Sequence, residues 1–189
     1  MLYLILTVVV IRLKEIYNKI IEDIEPSKYT LYCDMDGVLC DFDKRFRDLT
    51  SSKNRPSGMS PKEYKTKYST NSFWKIIDRA GPKFWADMPW MPDGETLYEY
   101  IKPNLFALLS APSFDVSSEE GKQEWVDKNT PGTKLILSPS VKKPTFSKEN
   151  SILIDDLKST IDEWNIKGGI GILHTSAAST IEKLKELGL

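Results

Sequence analysis

The sequence predicts an α/β fold: a Rossmann-like parallel five-stranded sheet with helices on both faces and a small helical insertion after its first strand. Three observations predict it. Five short, nearly continuous apolar runs read as strands buried on both faces: Tyr29 to Cys33, Leu105 to Leu109, Lys134 to Leu137, Ile152 to Ile154 and Ile170 to Leu173. Helical patterns fill the gaps after the second run and before it, over 96–101, 119–128, 157–164 and 179–187, with Gly188 placed to close the last. Between Phe42 and Met91 no strand pattern occurs, and Pro56, Pro61, Pro82 and Pro89 punctuate a stretch rich in Lys, Ser and aromatics, which reads as the helical insertion.

The domain organisation follows. Residues 1–28 form an N-terminal apolar segment and an amphipathic helix, the helix read from Leu13, Ile16, Tyr17, Ile20, Ile21 and Ile24 and ended by Pro26. Residues 29–41 and 92–189 form the α/β core, and 42–91 the insertion. The opening run, 1–11, is too short to span a bilayer and has neither the leading charge nor the cleavage pattern of a secretory signal. Three readings fit it: an extra packed element, a membrane-surface anchor, or an upstream extension.

At 189 residues, with 40% hydrophobic and 28% charged residues, the chain can bury a full core. A formal net charge of −1 gives no global electrostatic case for a stable nucleic-acid complex. Cys33 and Cys40 are expected as reduced thiols of a cytoplasmic protein, and with a single histidine, His174, assigned to structure, a zinc site has no support. No membrane span is expected, and a homodimer is compatible with the sequence.

Ligands of parallel sheets bind beyond the carboxyl ends of the strands. The first strand there delivers Asp34-Met35-Asp36-Gly37. Side chains two apart on an extended chain point the same way, so Asp34 and Asp36 can address one centre while Met35 faces elsewhere, and Gly37 allows a turn. Two carboxylates this close can cooperate if a cation shares the site, which suggests a metal, or if one holds a proton, which suggests acid catalysis. The second strand ends in Ser110-Ala111, the long polar loop 138–147 carries Lys142 and Lys143, and the fourth strand ends in Asp155-Asp156. Phosphoryl transfer uses each of these types: carboxylates for a hard cation, a nucleophilic aspartate, a proton shuttle, and hydroxyl, amide and ammonium groups for the phosphoryl oxygens.

These motifs, in this order, resemble the haloacid dehalogenase (HAD) superfamily of aspartate-nucleophile phosphatases. The resemblance covers about Tyr29 to the C-terminus. It implies Asp34 as nucleophile and magnesium ligand, Asp36 as acid/base offering its backbone carbonyl to Mg2+, and Asp155 and Asp156 as further metal-site residues. It implies phosphate contacts from Ser110, the Ala111 amide and Lys143 or Lys142. Within the superfamily the sequence is most similar to the 5′(3′)-deoxyribonucleotidases of bacterial and phage type, through Asp36-Gly-Val-Leu-x-Asp-Phe42, Phe84-Trp85, Pro92-Asp93-Gly94, Gly121-Lys122-x-x-Trp125-Val126 and Leu153-Ile154-Asp155-Asp156. That likeness implies a nucleoside 5′-monophosphate as substrate and makes the insertion a cap over the base. Ala111 departs from the family, standing where a second hydroxyl is usual.

The insertion's aromatic load suits this reading, with Phe42, Trp74 and Trp85 as candidate stacking residues. Any one of them could equally belong to the insertion's own core. The alternative among enzymes is a HAD phosphatase for another small phosphoester or for a polynucleotide end. Outside phosphatases, a phosphoacceptor or binding domain on the same sheet ranks lower, because receiver domains place the acceptor aspartate later and lack an inserted cap.

Overall fold

The computed structural model describes residues 12–14, 28–54 and 57–189. Residues 12–14 are helical; the apolar run 1–11 and the rest of the predicted N-terminal helix lie outside the described residues.

Five parallel strands form one sheet: β1 (Thr30–Cys33), β2 (Leu105–Ser110), β3 (Leu135–Leu137), β4 (Ser151–Asp155) and β5 (Ile170–Leu173), in the spatial order β3-β2-β1-β4-β5. The chain leaves central β1 towards β2 on one side and returns to β4 on the other. That reversal opens a crevice at the carboxyl end of β1, where open α/β sheets bind their ligands. The fold class is the one expected from the sequence, and each strand falls within a residue or two of its apolar run.

Pleat alternation divides the sheet's side chains between two cores. Leu31, Cys33, Leu108, Ile152 and Ile154 face one way. They meet Leu97 and Ile101 of α5 (Gly94–Ile101), Trp125 of α6 (Ser117–Asn129) and Leu184 of α8 (Ala177–Glu186). Tyr32, Ala107, Leu109 and Leu153 face the other way, onto Ile161 and Trp164 of α7 (Lys158–Ile166). Gly188 ends α8 with a positive φ of 83°, and Leu189 N–H bonds back to Leu184 C=O at 3.0 Å.

Among the described residues of 42–91 there is no strand element, as the sequence implies. The segment folds as α1 (Phe42–Leu49), α2 (Pro61–Tyr68), α3 (Thr70–Ala80) and α4 (Pro82–Ala86). Ser60 caps α2 in a reciprocal capping box with Glu63, and Ser69 caps α3. Phe46, Phe73, Ile77 and Phe84 are buried and join the same apolar cluster as β1. Gly121 is required where α4 meets α6, because a Cβ there would collide with the Pro82 carbonyl.

One expectation is replaced. The stretch 138–147, read as a loop because of its two prolines, contains a 3-10 helix, Ser140–Phe146. The Lys142 and Lys143 amides both donate to Pro139 C=O, at 2.7 and 3.1 Å, and Pro144 lies inside the helix with no N–H to donate. Three residues per turn place Ser140, Lys143 and Phe146 on one face. This spacing turns Lys143 inward and leaves Lys142 exposed.

Candidate active site

A cleft of about 830 Å³ lies over the carboxyl ends of β1, β2 and β4. Asp34, Asp36, Asp155 and Asp156 line it, with Ala111, Lys143, Phe42, Trp74 and Trp85.

The chain builds the floor by a sharp turn after β1. Asp34 N–H donates to Ile154 C=O at 2.8 Å, continuing the ladder to β4. The Met35 side chain is buried in the core while its carbonyl accepts the amides of Val38, Leu39 and Cys40. The turn passes through Gly37 at φ 77°, and a Cβ there would collide with the Asp156 carboxylate. Glycine is therefore needed for conformation and for space at once.

Asp34, Asp155 and Asp156 each present a carboxylate oxygen within 4.8 Å of the others. Lys143 Nζ lies 2.8 Å from Asp155 Oδ2 and 2.9 Å from Asp34 Oδ1. Asp155 Oδ1 accepts the Leu157 amide at 2.8 Å, which fixes that carboxylate. Burial works against the Lys143 charge, but Asp34 and Asp155 outweigh it and raise its pKa above the ordinary lysine value. Burial, then Asp34, raise the Asp155 pKa, with Lys143 opposing. At the mouth, partial burial and the charges of Asp34 and Asp155 push Asp156 up to about 6.

Three carboxylates against one ammonium leave two negative charges uncompensated, and the buried Asp34 Oδ1 has the shared Lys143 ammonium, 2.9 Å away, as its ion-pair partner. An all-oxygen set of this charge fits a hard divalent cation.

Asp36 lives in different surroundings. Its carboxylate is not part of the trio but meets Lys122 Nζ at 2.6 Å. Lys122, projecting from α6, is completely buried and spends its other two protons on Ser110 Oγ and Ala111 C=O, both at 2.8 Å. Its ammonium also lies 5.1 Å from the Trp85 ring centroid. Sequence reasoning noticed Lys122 only as part of a family-like run and gave it no role. The available signal was a lone lysine one turn before Trp125 on a helix face that is otherwise core, at Gly121, Trp125 and Val126.

The remaining expected residues divide as follows. Lys142 is exposed and outside the cleft, so of the two lysines Lys143 reaches the carboxylates. Ser110 is fully buried beneath the floor and bonded to Lys122, while Ala111 lines the cleft itself. Phe42 and Trp74 are half-buried cleft walls. Trp85 is only 2% exposed, packed on Phe42 and Phe84, so it offers the cleft an edge at most. His174 is buried with Nδ1 2.9 Å from Thr180 Oγ1, in a structural setting. Cys33 and Cys40 are buried free thiols, with burial raising both pKa values.

The chain is similar in structure to a hydrolase from Streptococcus pneumoniae TIGR4, with a TM-score of 0.56 at 13% identity over 84% of this chain and 99% of that one. A dehalogenase, with a TM-score of 0.47 at 12% identity over 77% of this chain and 84% of its own, lies below the level at which likeness carries an argument. So does a HAD-superfamily hydrolase of subfamily IA from Geobacter sulfurreducens PCA, at 0.44 and 11% over 82% and 96%. At such identities the likeness to the streptococcal protein establishes a shared fold. No protein-family model and no curated protein matches the sequence. Among the described residues no helix is long and apolar enough to cross a membrane.

Proposed function

We propose that the protein is a magnesium-dependent phosphomonoesterase of HAD type that hydrolyses nucleoside 5′-monophosphates, with deoxyribonucleotides favoured by the motif resemblance. One observation carries the reading: two aspartates two residues apart are held in separate environments, Asp34 in an anionic trio with Lys143 and Asp36 in an ion pair with Lys122. Such a split suits a nucleophile beside a proton shuttle.

Asp34, Asp155, Asp156 and the Asp36 carbonyl would hold Mg2+, which when bound supplies charge neutralisation for the phosphoryl oxygens. In the first step a carboxylate oxygen of Asp34 attacks phosphorus, the P–O ester bond breaks, and Asp36, protonated from solvent in the substrate complex, delivers that proton to the leaving alkoxide. In the second, water attacks the aspartyl-phosphate, Asp36 takes its proton, and inorganic phosphate leaves with the Asp34 carboxylate restored. Lys143 and the Ala111 amide stabilise the phosphoryl oxygens. Phe42 and Trp74, on the helical segment, form a wall against which a base can lie, and that segment acts as the cap. The reading is of a cytoplasmic enzyme with a small-molecule partner.

Phosphate release over a panel of nucleotides and sugar phosphates, with magnesium and with chelator, tests the reading. Asp34→Asn is expected to lower kcat at least about 1,000-fold. Turnover in that variant within tenfold of wild type refutes the covalent mechanism, and equal kcat/KM across the panel refutes the nucleotide preference.

A further inference from the structure

Phe114 is fully exposed, yet it lines the cleft. It sits on the loop between β2 and α6, on the sheet side, with Pro112 and Ser113 as neighbours in the cleft wall. Hydrogen bonds pin the loop on both sides of it. Ser113 N–H donates to Ser118 Oγ at 2.9 Å, Ser117 N–H to Asp115 Oδ1 at 2.9 Å, and Ser118 Oγ to Asp115 C=O at 2.9 Å. Further back, the Ala111 carbonyl is held by Lys122. The backbone under the ring is thus ordered before any ligand arrives, while the ring itself is left exposed. Its neighbour Val116 is exposed as well.

A single exposed apolar side chain needs no explanation. An aromatic ring on a pre-ordered loop at the mouth of a cleft is a different case, because its backbone is already placed relative to the floor and only the ring's own rotamer is left to be ordered on binding. The helical segment already offers Phe42 and Trp74 to the same cleft. A ring-bearing substrate anchored by its phosphate would meet aromatic surface from both the helical side and the sheet side. An aliphatic phosphoester could use neither.

We infer that Phe114 is a specificity-determining residue, the sheet-side aromatic contact that selects phosphomonoesters carrying a planar ring system. This rests on the nucleotide reading above and deepens it. Trp85 is too deeply buried to serve as such a face, so the selecting surface is shared between Trp74, Phe42 and Phe114.

The test compares kcat/KM for thymidine 5′-monophosphate and for glycerol 2-phosphate in wild type, Phe114→Ala and Phe114→Trp. Using the ratio of the two substrates on one preparation cancels any loss of folded protein. Phe114→Ala is expected to lower the ratio at least about 5-fold, through KM for the nucleotide, and Phe114→Trp to hold it within about twofold. If wild type prefers the nucleotide and Phe114→Ala keeps that preference within twofold, this inference falls alone. A Phe114→Trp ratio as low as that of Phe114→Ala also overturns it. A wild-type ratio near one overturns the nucleotide reading, and the inference with it.

Discussion

Replacing Lys122 with Met removes the three hydrogen bonds of a buried ammonium while keeping most of the side-chain volume. The ammonium donates to Asp36 Oδ2 at 2.6 Å, and to Ser110 Oγ and Ala111 C=O at 2.8 Å. Ser110 is fully buried, so its hydroxyl loses a partner with no water to replace it. Asp36 already has Oδ1 buried without a partner, and losing Lys122 would leave its charge uncompensated on that side. Breaking one partner out of a buried ion pair costs about 3–5 kcal/mol. The Asp36 side chain keeps 30% of its surface open and can turn towards water in the cleft, which selects the lower end, about 3 kcal/mol. Urea unfolding of wild type, Lys122→Met, Asp36→Asn and the double variant measures this directly. Because the double variant removes the charge that each single one strands, its loss should fall short of the sum by at least about 1 kcal/mol. A Lys122→Met loss below about 1 kcal/mol, or strict additivity in the cycle, would refute the idea that the two residues form one unit.

Three further outcomes are expected. Gly37→Ala should cost about 1–2 kcal/mol from its positive φ and, by pushing the Asp156 carboxylate aside, should also shrink the rise in Tm on adding magnesium; a magnesium shift equal to wild type argues against Asp156 as part of the metal site. In chelator-treated protein the raised Asp156 pKa, about 6, means the folded state takes up a proton more readily than the unfolded chain, so this contribution to stability is present at low pH and lost as pH rises through 6. His174, whose pKa burial lowers, contributes in the opposite sense, so the readout is the difference in Tm between wild type and Asp156→Asn from pH 5 to 7; a difference that does not change with pH contradicts the assignment. Trp85→Ala should destabilise by about 3–5 kcal/mol because the side chain is buried, whereas Trp74→Ala should cost far less stability and chiefly raise KM for nucleotides; reversed effects would reassign the two walls.

The strands were legible because five parallel, doubly covered strands leave five apolar runs that polar helix faces cannot imitate. The acidic floor was legible for a related reason: Asp34, Asp36 and Asp155-Asp156 directly follow such runs, and a strand end fixes where its next residue goes. Lys143 could be narrowed only to a pair, since choosing it over Lys142 needs the three-residue turn of a 3-10 helix that Pro144 disguises as loop. Lys122 escaped because a buried lysine is recognised by its partners, and Asp36 and Ser110 lie 86 and 12 residues away in sequence. Trp74 and Trp85 look alike as aromatics of one segment. Only the packing of α4 on α6 separates the half-open ring from the buried one.

The two lysines explain how one short motif yields two chemically distinct carboxylates. Lys143 arrives on the 3-10 helix, which packs against α7 on one side of the sheet, and Lys122 on α6, which covers the other. Each reaches over the carboxyl edge to a different aspartate of the pair. Asp36 and Lys122 balance one negative charge with one positive, so that half of the site is electrically complete within the protein. The Asp34, Asp155 and Asp156 group keeps two charges more than Lys143 can answer. Bringing these carboxylates together is costly in the protein alone, and a divalent cation would restore balance there. On the proposed reading a cation's place would be set by a charge deficit on one side of Met35 and not the other. On that reading Asp34 stands on the cation side for attack, while Asp36, paired with Lys122, takes up a proton from solvent before it serves as the acid.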